Sequence, residues 1–570
     1  MEIVDDATYS TASYSEDHTF DARGRVSQVV NSLGTFNYSY VGQSTRTSTV
    51  DYPNGMRVTY GYYGPTGDEL LKQIKNLTAG PTRSVISQFD YTYGADRSIA
   101  TWAQAQGGAA ATTWTFGYDP SLQLTTAVRR DSSNNILDNQ RFGYDPARNR
   151  DQVVTGTVVR DYKVNKLNQL LAERGFGATT VAGTTDEAAT VTVNGQPAKV
   201  TSTDGGAPFR FEATAKLAQG NNTVTVQAVD GRGNTRTNNY LVTATGTTAT
   251  FEYDADGNLR FERSPAGAVT REYRWDAQDR LVRVIQGSHE SVFEYDGESR
   301  RTRIRELVSG AETKNEVFIW CGSNICQKRA SNGTTVSRSH FDRGFKAGTP
   351  TYFYTRDHLG SIWEVVGSNG STIESRVRYS PWGEMTNVSG SGAKADFAFT
   401  GHYSDVPNNL ALAQYRGYLP SRGRWLNRDP AHESGGNALY VYVRNDPAGF
   451  VDVEGKCPSR PGLPGCYPGM DLPGPACTPK EDENDCFTVT YDIPSCPSSG
   501  LQGGGRSWSA QEQNEGWCNI YLYGDKVRSP KKPKSGSHRA GILASATCSE
   551  ADFLNPTLSC TYCPGYRASR

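Results

Sequence analysis

Three short stretches place carboxylates where a turn or a reaction could use them: Asp429-Pro430-Ala431-His432, Asp446-Pro447-Ala448-Gly449 and Asp452-Val453-Glu454-Gly455. Two carboxylates that share a proton can divide acid and base work. The ionised one takes a proton from water, and the other donates to a peptide oxygen or a leaving amine. A neighbouring guanidinium, such as Arg428 beside Asp429, can hold one carboxylate ionised through a bidentate pair. Read as residues alone, the same aspartates start or cap turns, the commoner role of Asp before Pro.

Other reactive types are scattered. Cys321 and Cys326 flank Gly322-Ser323-Asn324, a turn between expected strands, and suit either a cross-strand disulfide or two buried free thiols. Near the C-terminus, Cys560-Thr561-Tyr562-Cys563 has zinc-ligand spacing, but Cys518 and Cys548 supply no second C-x-x-C, so disulfides fit better. The run Lys526, Arg528, Lys531, Lys532, Lys534, His538 and Arg539 reads as a solvated loop before it reads as a phosphate contact. Cys518, His538 and Asp525 suit a thiol nucleophile and its base by type alone. After residue 456 there is no paired histidine, Gly-rich phosphate loop or nucleophile elbow, so the sequence names no activity there. No metal or other cofactor is expected.

The elements that must position these residues are strands. In 570 residues, 31 Tyr, 59 Gly and 27 Pro with only 4 Met favour short strands and turns over helical bundles. The expected fold class is all-β. A net charge of −1 gives no long-range attraction to nucleic acid or acidic membranes, and nucleic acid is not expected as a partner. No apolar run approaches the length of a membrane-spanning helix. The start, Met1-Glu2-Ile3-Val4-Asp5-Asp6, lacks the basic and apolar stretches of a secretory signal, so export uses another route or the chain is a piece of a longer one.

A repeat of period 20 to 22 runs through Tyr253-Asp254-x-x-Gly257-Asn258-Leu259, Trp275-Asp276-x-x-Asp279-Arg280-Leu281 and Tyr295-Asp296-x-x-Ser299-Arg300-Arg301. Weaker copies stand at Phe20-Asp21, Tyr118-Asp119 and Tyr144-Asp145. In each, the aromatic ends one strand on the packed face, Asp makes the turn, and alternation resumes, as in Leu281-Val282-Arg283-Val284-Ile285. A single hairpin has two open edges. Successive hairpins that pair edge to edge close them, which predicts a long curling sheet.

Residues 181–246 break the repeat. Ala189-Thr190-Val191-Thr192-Val193 with Asn194-Gly195 and the alternation of Thr223–Val229 predict a small antiparallel sandwich, similar to a bacterial immunoglobulin-like insert. Cysteine usage steps sharply: two residues before 456, and nine after it (Cys457, Cys466, Cys477, Cys486, Cys496, Cys518, Cys548, Cys560, Cys563), which read as a disulfide-stapled module in an oxidising compartment. Its opening, Cys457–Gly505, rich in Pro, Gly and Cys, reads as loop or linker.

Between Asp357 and Gly455 stands an ordered set of motifs: Asp357-His358-Leu359-Gly360-Ser361, Tyr379-Ser380-Pro381-Trp382-Gly383-Glu384, Phe399-Thr400-Gly401-His402, Gly417-Tyr418-Leu419-Pro420-Ser421-Arg422-Gly423-Arg424-Trp425-Leu426, Arg428-Asp429-Pro430, Asn437-Ala438-Leu439-Tyr440-Val441-Tyr442 and Asn445-Asp446-Pro447. In that order they resemble the core-associated region of the Rhs/YD-repeat proteins, which include wall-associated bacterial toxins, the C component of insect-active toxin complexes and the teneurin YD shell. The resemblance implies a hollow shell, closed or partial. Its parts are repeat strands at 1–180 and 247–356, an immunoglobulin-like insert at 181–246, a core at 357–455 and a cysteine-rich C-terminal effector or cap at 456–570. It also implies an intramolecular aspartic protease that cuts after the second of two Asp-Pro-x-Gly boxes. Carried onto this chain, the catalytic pair is Asp429 and Asp452, with Arg428 beside Asp429. His432 stands for Gly in the first box, Val453 for Pro in the second, and Lys456 for the usual apolar residue. Asp446-Pro447-Ala448-Gly449 matches a box literally but falls at the family's Asn-Pro turn.

The reading that follows is a secreted or cell-surface polymorphic toxin, at most a single-turnover autoprotease. Its partners would be its own C-terminal segment as cargo, an immunity protein, a secretion-system adaptor and a target-cell surface. The alternative is a non-enzymatic, teneurin-like adhesion or structural protein.

Overall fold

The computed structural model describes residues 14–461 apart from 176, 204–205, 247 and 432–437, and beyond them the backbone of five short strands between 487 and 563. Among the described residues there is no α-helix, and none long and apolar enough to cross a membrane.

From Glu16–Phe20 to Leu170–Arg174 each strand pairs antiparallel with the next. Leu170–Arg174 then pairs across the insert with Ala249–Tyr253, Ala172 opposite Thr250. The meander resumes from there and runs to Met385–Ser389. Among the described residues the first and last strands do not pair with each other, so the ladder is an open, partial shell.

The repeat has a specific local construction. In Tyr295-Asp296, the register against the next strand slips one residue between Glu294 and Tyr295, a bulge that adds twist. The Tyr295 hydroxyl donates to the Leu281 carbonyl at 2.8 Å, at the start of the strand before. Asp296 Oδ1 accepts the N–H groups of Glu298 and Arg300 at 2.9 Å each, and Oδ2 accepts Arg300 Nε at 2.7 Å. The same pattern holds at Trp275-Asp276, where the indole N–H donates to the Leu259 carbonyl at 2.7 Å. Tyr40, Tyr62, Tyr93, Tyr118 and Tyr144 reach back to carbonyls in the same way. In these copies the aromatic fastens its strand to the one before, and at Asp119, Asp145, Asp276 and Asp296 the aspartate closes the turn that follows.

The sheet curls until strands far apart in sequence touch. The Tyr52 hydroxyl donates to the Tyr354 carbonyl at 3.2 Å, and Ser87 Oγ and Gln106 Nε2 each donate to the Glu364 carboxylate at 2.9 Å. Glu364 is fully buried and also paired with Arg376 Nε at 3.1 Å. Apolar residues of the wall (Phe36, Phe89, Trp102, Phe142) and of the core region (Trp363, Trp382, Tyr418, Trp425, Tyr442) belong to one continuous cluster.

Where the repeat breaks, Gly177–Thr185, Gly206–Leu217 and Lys199–Thr203 form one antiparallel sheet. Ala189–Val193, Gly220–Asp230 and Thr235–Ala244 form a second layer. The layers share a separate cluster of Val191, Val193, Phe211, Leu217, Val224 and Val226. A short parallel pairing, Val158 opposite Thr243 and Val159 opposite Ala244, ties the second layer to the wall. The Cys321–Cys326 disulfide is formed, which resolves the two readings of that pair.

Beyond Gly465 the chain forms a separate unit in which Phe487–Asp492 and Ile542–Ser549 flank Thr557–Cys563 in an antiparallel sheet. The first of these strands lies inside the stretch expected to be loop or linker. The Phe-Thr-Val-Thr-Tyr alternation of β-formers decides locally against an average composition of Pro, Gly and Cys. The catalytic candidates Cys518, Asp525 and His538 and the basic run 526–539 lie outside the described residues.

Candidate functional site

The core region builds a four-stranded sheet from Tyr403–Asp405, Leu410–Leu412, Gly417–Leu419 and Arg424–Trp425. The strand Gly417–Leu419 is preceded immediately by Arg416, which is buried, its guanidinium 4.3 Å from the Trp425 ring centroid. Arg416 Nη2 lies 2.9 Å from Asp429 Oδ2 and 2.9 Å from Asp452 Oδ2. The two carboxylate oxygens therefore lie no further apart than twice that distance, and both aspartates are buried.

Asp429 leaves the short strand Arg424–Trp425 through Leu426–Arg428. Its N–H bonds to the Leu439 carbonyl at 2.9 Å, and its Oδ1 accepts the Ala431 N–H at 2.8 Å, a turn closed over Pro430. Asp452 Oδ1 accepts three backbone N–H groups in a row, from Gly455 and Lys456 at 2.9 Å and Cys457 at 3.0 Å. Gly455 has φ +79°, and a Cβ there would stand 3.1 Å from Arg416 Cβ, so the turn needs glycine both for its backbone and for its approach to Arg416. Past the turn, Ser459 and Val451 exchange hydrogen bonds of 2.8 and 2.7 Å, and Lys456 Nζ sits 3.5 Å from the Tyr415 ring centroid. Where an apolar residue was expected, Lys456 makes a cation–aromatic contact instead. Val453, the other departure from the box, is exposed. His432 lies outside the described residues.

His402 closes the site from behind. Its Nε2 donates to the Asp452 carbonyl at 2.8 Å and its Nδ1 lies 2.8 Å from Thr400 Oγ1, which in turn is 3.2 Å from the Tyr442 hydroxyl. Burial pushes the His402 imidazole below its usual range, towards the neutral form, against the partial compensation of the Asp452 carbonyl. Burial pushes Asp429 up, and the like charge of Asp452 adds to that, while Arg416 pulls the other way. Asp429 is thus displaced towards its protonated form. Arg416 itself is lowered by burial, with the two carboxylates opposing.

Two of the three expected site residues, Asp429 and Asp452, come together. The cation between them is Arg416 and not Arg428, which is exposed, with its stem along Gly257. A neighbour in sequence is a poor guide here, because Asp429 is buried while Arg428 beside it is exposed. Asp446 has no part in the cluster. It is buried, its Oδ1 accepts the Gly449 N–H at 3.0 Å, and burial raises its carboxyl to about 7. Arg416, His402 and Thr400 carried no sequence signal of a role beyond the presence of Thr400 and His402 in a motif. Among the described residues no group of three His, Cys, Asp or Glu is placed to hold a metal.

A family model described as RHS Repeat matches residues 253–291. The chain is 31% identical to the double-stranded DNA deaminase toxin A of Burkholderia cenocepacia, over 36% of this chain and 17% of that protein. It is 27% identical to the probable deoxyribonuclease RhsA of Dickeya dadantii, over 37% and 16%. It is also 27% identical to the toxin protein Tse5 of Pseudomonas aeruginosa, over 36% and 18%. The chain therefore spans less than a fifth of the length of these relatives. Among solved structures, a TcdB2-TccC3-TEV crystal structure aligns over 78% of this chain and 25% of the other, at 14% identity and a TM-score of 0.28.

Proposed function

The chain belongs to the Rhs/YD-repeat family, and from that premise we propose a polymorphic toxin whose β-sheet shell contains a C-terminal effector and frees it by aspartyl self-cleavage near Gly455. The observation that supports the reading is the convergence of Asp429 and Asp452 on Arg416, with Asp452 against the N–H groups of Gly455 and Lys456.

In this scheme Asp452 takes a proton from the attacking water while Asp429 donates one to the Gly455 carbonyl oxygen. The water oxygen bonds to the carbonyl carbon. On collapse the bond to Lys456 nitrogen breaks, Asp452 returns its proton to that nitrogen, and Asp429 recovers its own. The reaction runs once per molecule, so a modest rate suffices. The effector would be residues 456–570, the insert at 181–246 an immunoglobulin-like spacer or adhesive module, and delivery extracellular, through a secretion-system adaptor and with an immunity protein protecting the producer.

A second reading, a non-enzymatic teneurin-like adhesion or structural protein, draws support from the three N–H bonds on Asp452 Oδ1, which make it a good turn cap. Intact mass of the purified chain, beside Asp429→Asn and Asp452→Asn at neutral pH and without acid treatment, separates the two. A break after Gly455 in the wild type that is absent from both variants supports self-cleavage. An uncut wild type sinks it and leaves the aspartates as turn residues.

A further inference from the structure

Away from the carboxylate site, the wall and the core region meet around a small cavity of about 10 Å³ whose lining includes Asn149, Arg150, Arg422, Gly423, Arg424 and Tyr440. That is room for one small species. Three guanidiniums at one buried place require counter-charge. Arg422 has it, lying 3.1 Å from Glu173 and 3.7 Å from Glu262. Among the described residues Arg150 and Arg424 have no carboxylate at ion-pair distance. Arg150 donates to the Arg422 carbonyl and stacks 4.6 Å from the Trp382 ring centroid. Arg424 donates to the Asn168 carbonyl at 2.7 Å and stacks 5.3 Å from the Tyr440 centroid.

The aromatic faces offset part of two buried charges, but only part. The Nε–H groups of Arg150 and Arg424 are both buried with no acceptor. Glu173 and Glu262 are already engaged by Arg160, Arg271 and Arg422, so neither serves Arg150 or Arg424. The place is also built for the guanidinium. Gly423 has φ +59°, and a Cβ there would lie 2.7 Å from Arg150 Nη1, so a side chain would displace Arg150.

We propose that this cavity binds one monovalent anion of chloride size, held by Arg150 and Arg424, which joins the wall strand Arg150–Thr155 to the Arg422-Gly423-Arg424 segment of the core region. The cavity is too small for a phosphate group. A water is the competing occupant, because Asn149 Oδ1 is an acceptor without a donor in the same lining.

Two measurements on the full chain decide it. Melting is followed in sodium chloride or bromide against sodium gluconate at equal ionic strength, for the wild type and Arg424→Gln. Crystals grown in bromide are examined for anomalous scattering at the cavity. The expected result is a saturable rise of about 1–3 °C in halide that Arg424→Gln abolishes, with a bromide peak between Arg150 and Arg424. Equal melting of the wild type in all salts, a halide gain that survives in Arg424→Gln, or a cavity without a bromide peak overturns the proposal. If Arg424→Gln does not fold, the wild-type halide series and the bromide peak still decide.

Discussion

At the scale of single residues, Arg416 carries most of the consequence. It holds two buried carboxylates, and removing one partner of a buried ion pair leaves uncompensated charge at a cost of about 3–5 kcal/mol. Arg416→Met should therefore lower the denaturant midpoint markedly, while Arg428→Met, on an exposed side chain, should leave it almost unchanged. The proposed cut also has a definite pH sense. Asp429 must carry a proton to act as the acid, and its pKa is raised by burial. The protonated fraction falls as pH rises through that value, so the first-order rate of cutting should decline towards alkaline pH. A rate that climbs with pH would assign the acid role elsewhere.

At the scale of the element, the unit is the aromatic, its aspartate and the hairpin they close. Asp296→Ala removes two backbone acceptor contacts and the partner of Arg300, a loss of about 1–2 kcal/mol. Tyr295→Phe removes one buried hydroxyl bond and leaves the Leu281 carbonyl unsatisfied, about 1 kcal/mol. Chemical denaturation of both variants should give that order. This element was legible in the sequence because its logic is local: aromatic, aspartate and the residue four further on meet within one turn, so spacing alone reveals them. The carboxylate site was half legible. Asp429 and Asp452 stand out as turn aspartates and through the family boxes, but Arg416 is 13 residues before one and 36 before the other and reaches them only because the four-stranded core sheet folds back. Nothing in Gln414-Tyr415-Arg416 distinguishes that arginine from an exposed one. The strand Phe487–Asp492 was missed for the opposite reason, since a composition averaged over fifty residues hid a clear six-residue alternation.

At the scale of the whole molecule, several buried carboxyls are displaced upward together. Burial raises Asp446 and Glu306 to about 7, and Asp357 and Asp151 to about 6. Each binds its proton more tightly folded than unfolded, so its contribution is fully present below the unfolded value near 4 and is lost as pH rises through 6 to 7. Burial also lowers His358 to about 4 and lowers His340 and His402, and these groups work the opposite way over the same range. The test is therefore differential: Asp446→Asn should lose more of its melting temperature at pH 5.5 than at pH 7.5 relative to the wild type. An equal loss at both pH values would place Asp446 in better-solvated surroundings.

The back-reaching aromatics carry a mechanical meaning as well. A ladder in which the strand that ends in such an aromatic is fastened to its predecessor, and whose first and last described strands do not pair with each other, resists a load one hairpin at a time. A chain drawn out from an edge would yield in small regular increments of about one repeat, roughly 70 Å of contour for some twenty residues. Force spectroscopy of the shell should record a sawtooth with that spacing, whereas a single large drop would mean that the shared apolar cluster, and not the individual fastenings, sets its strength.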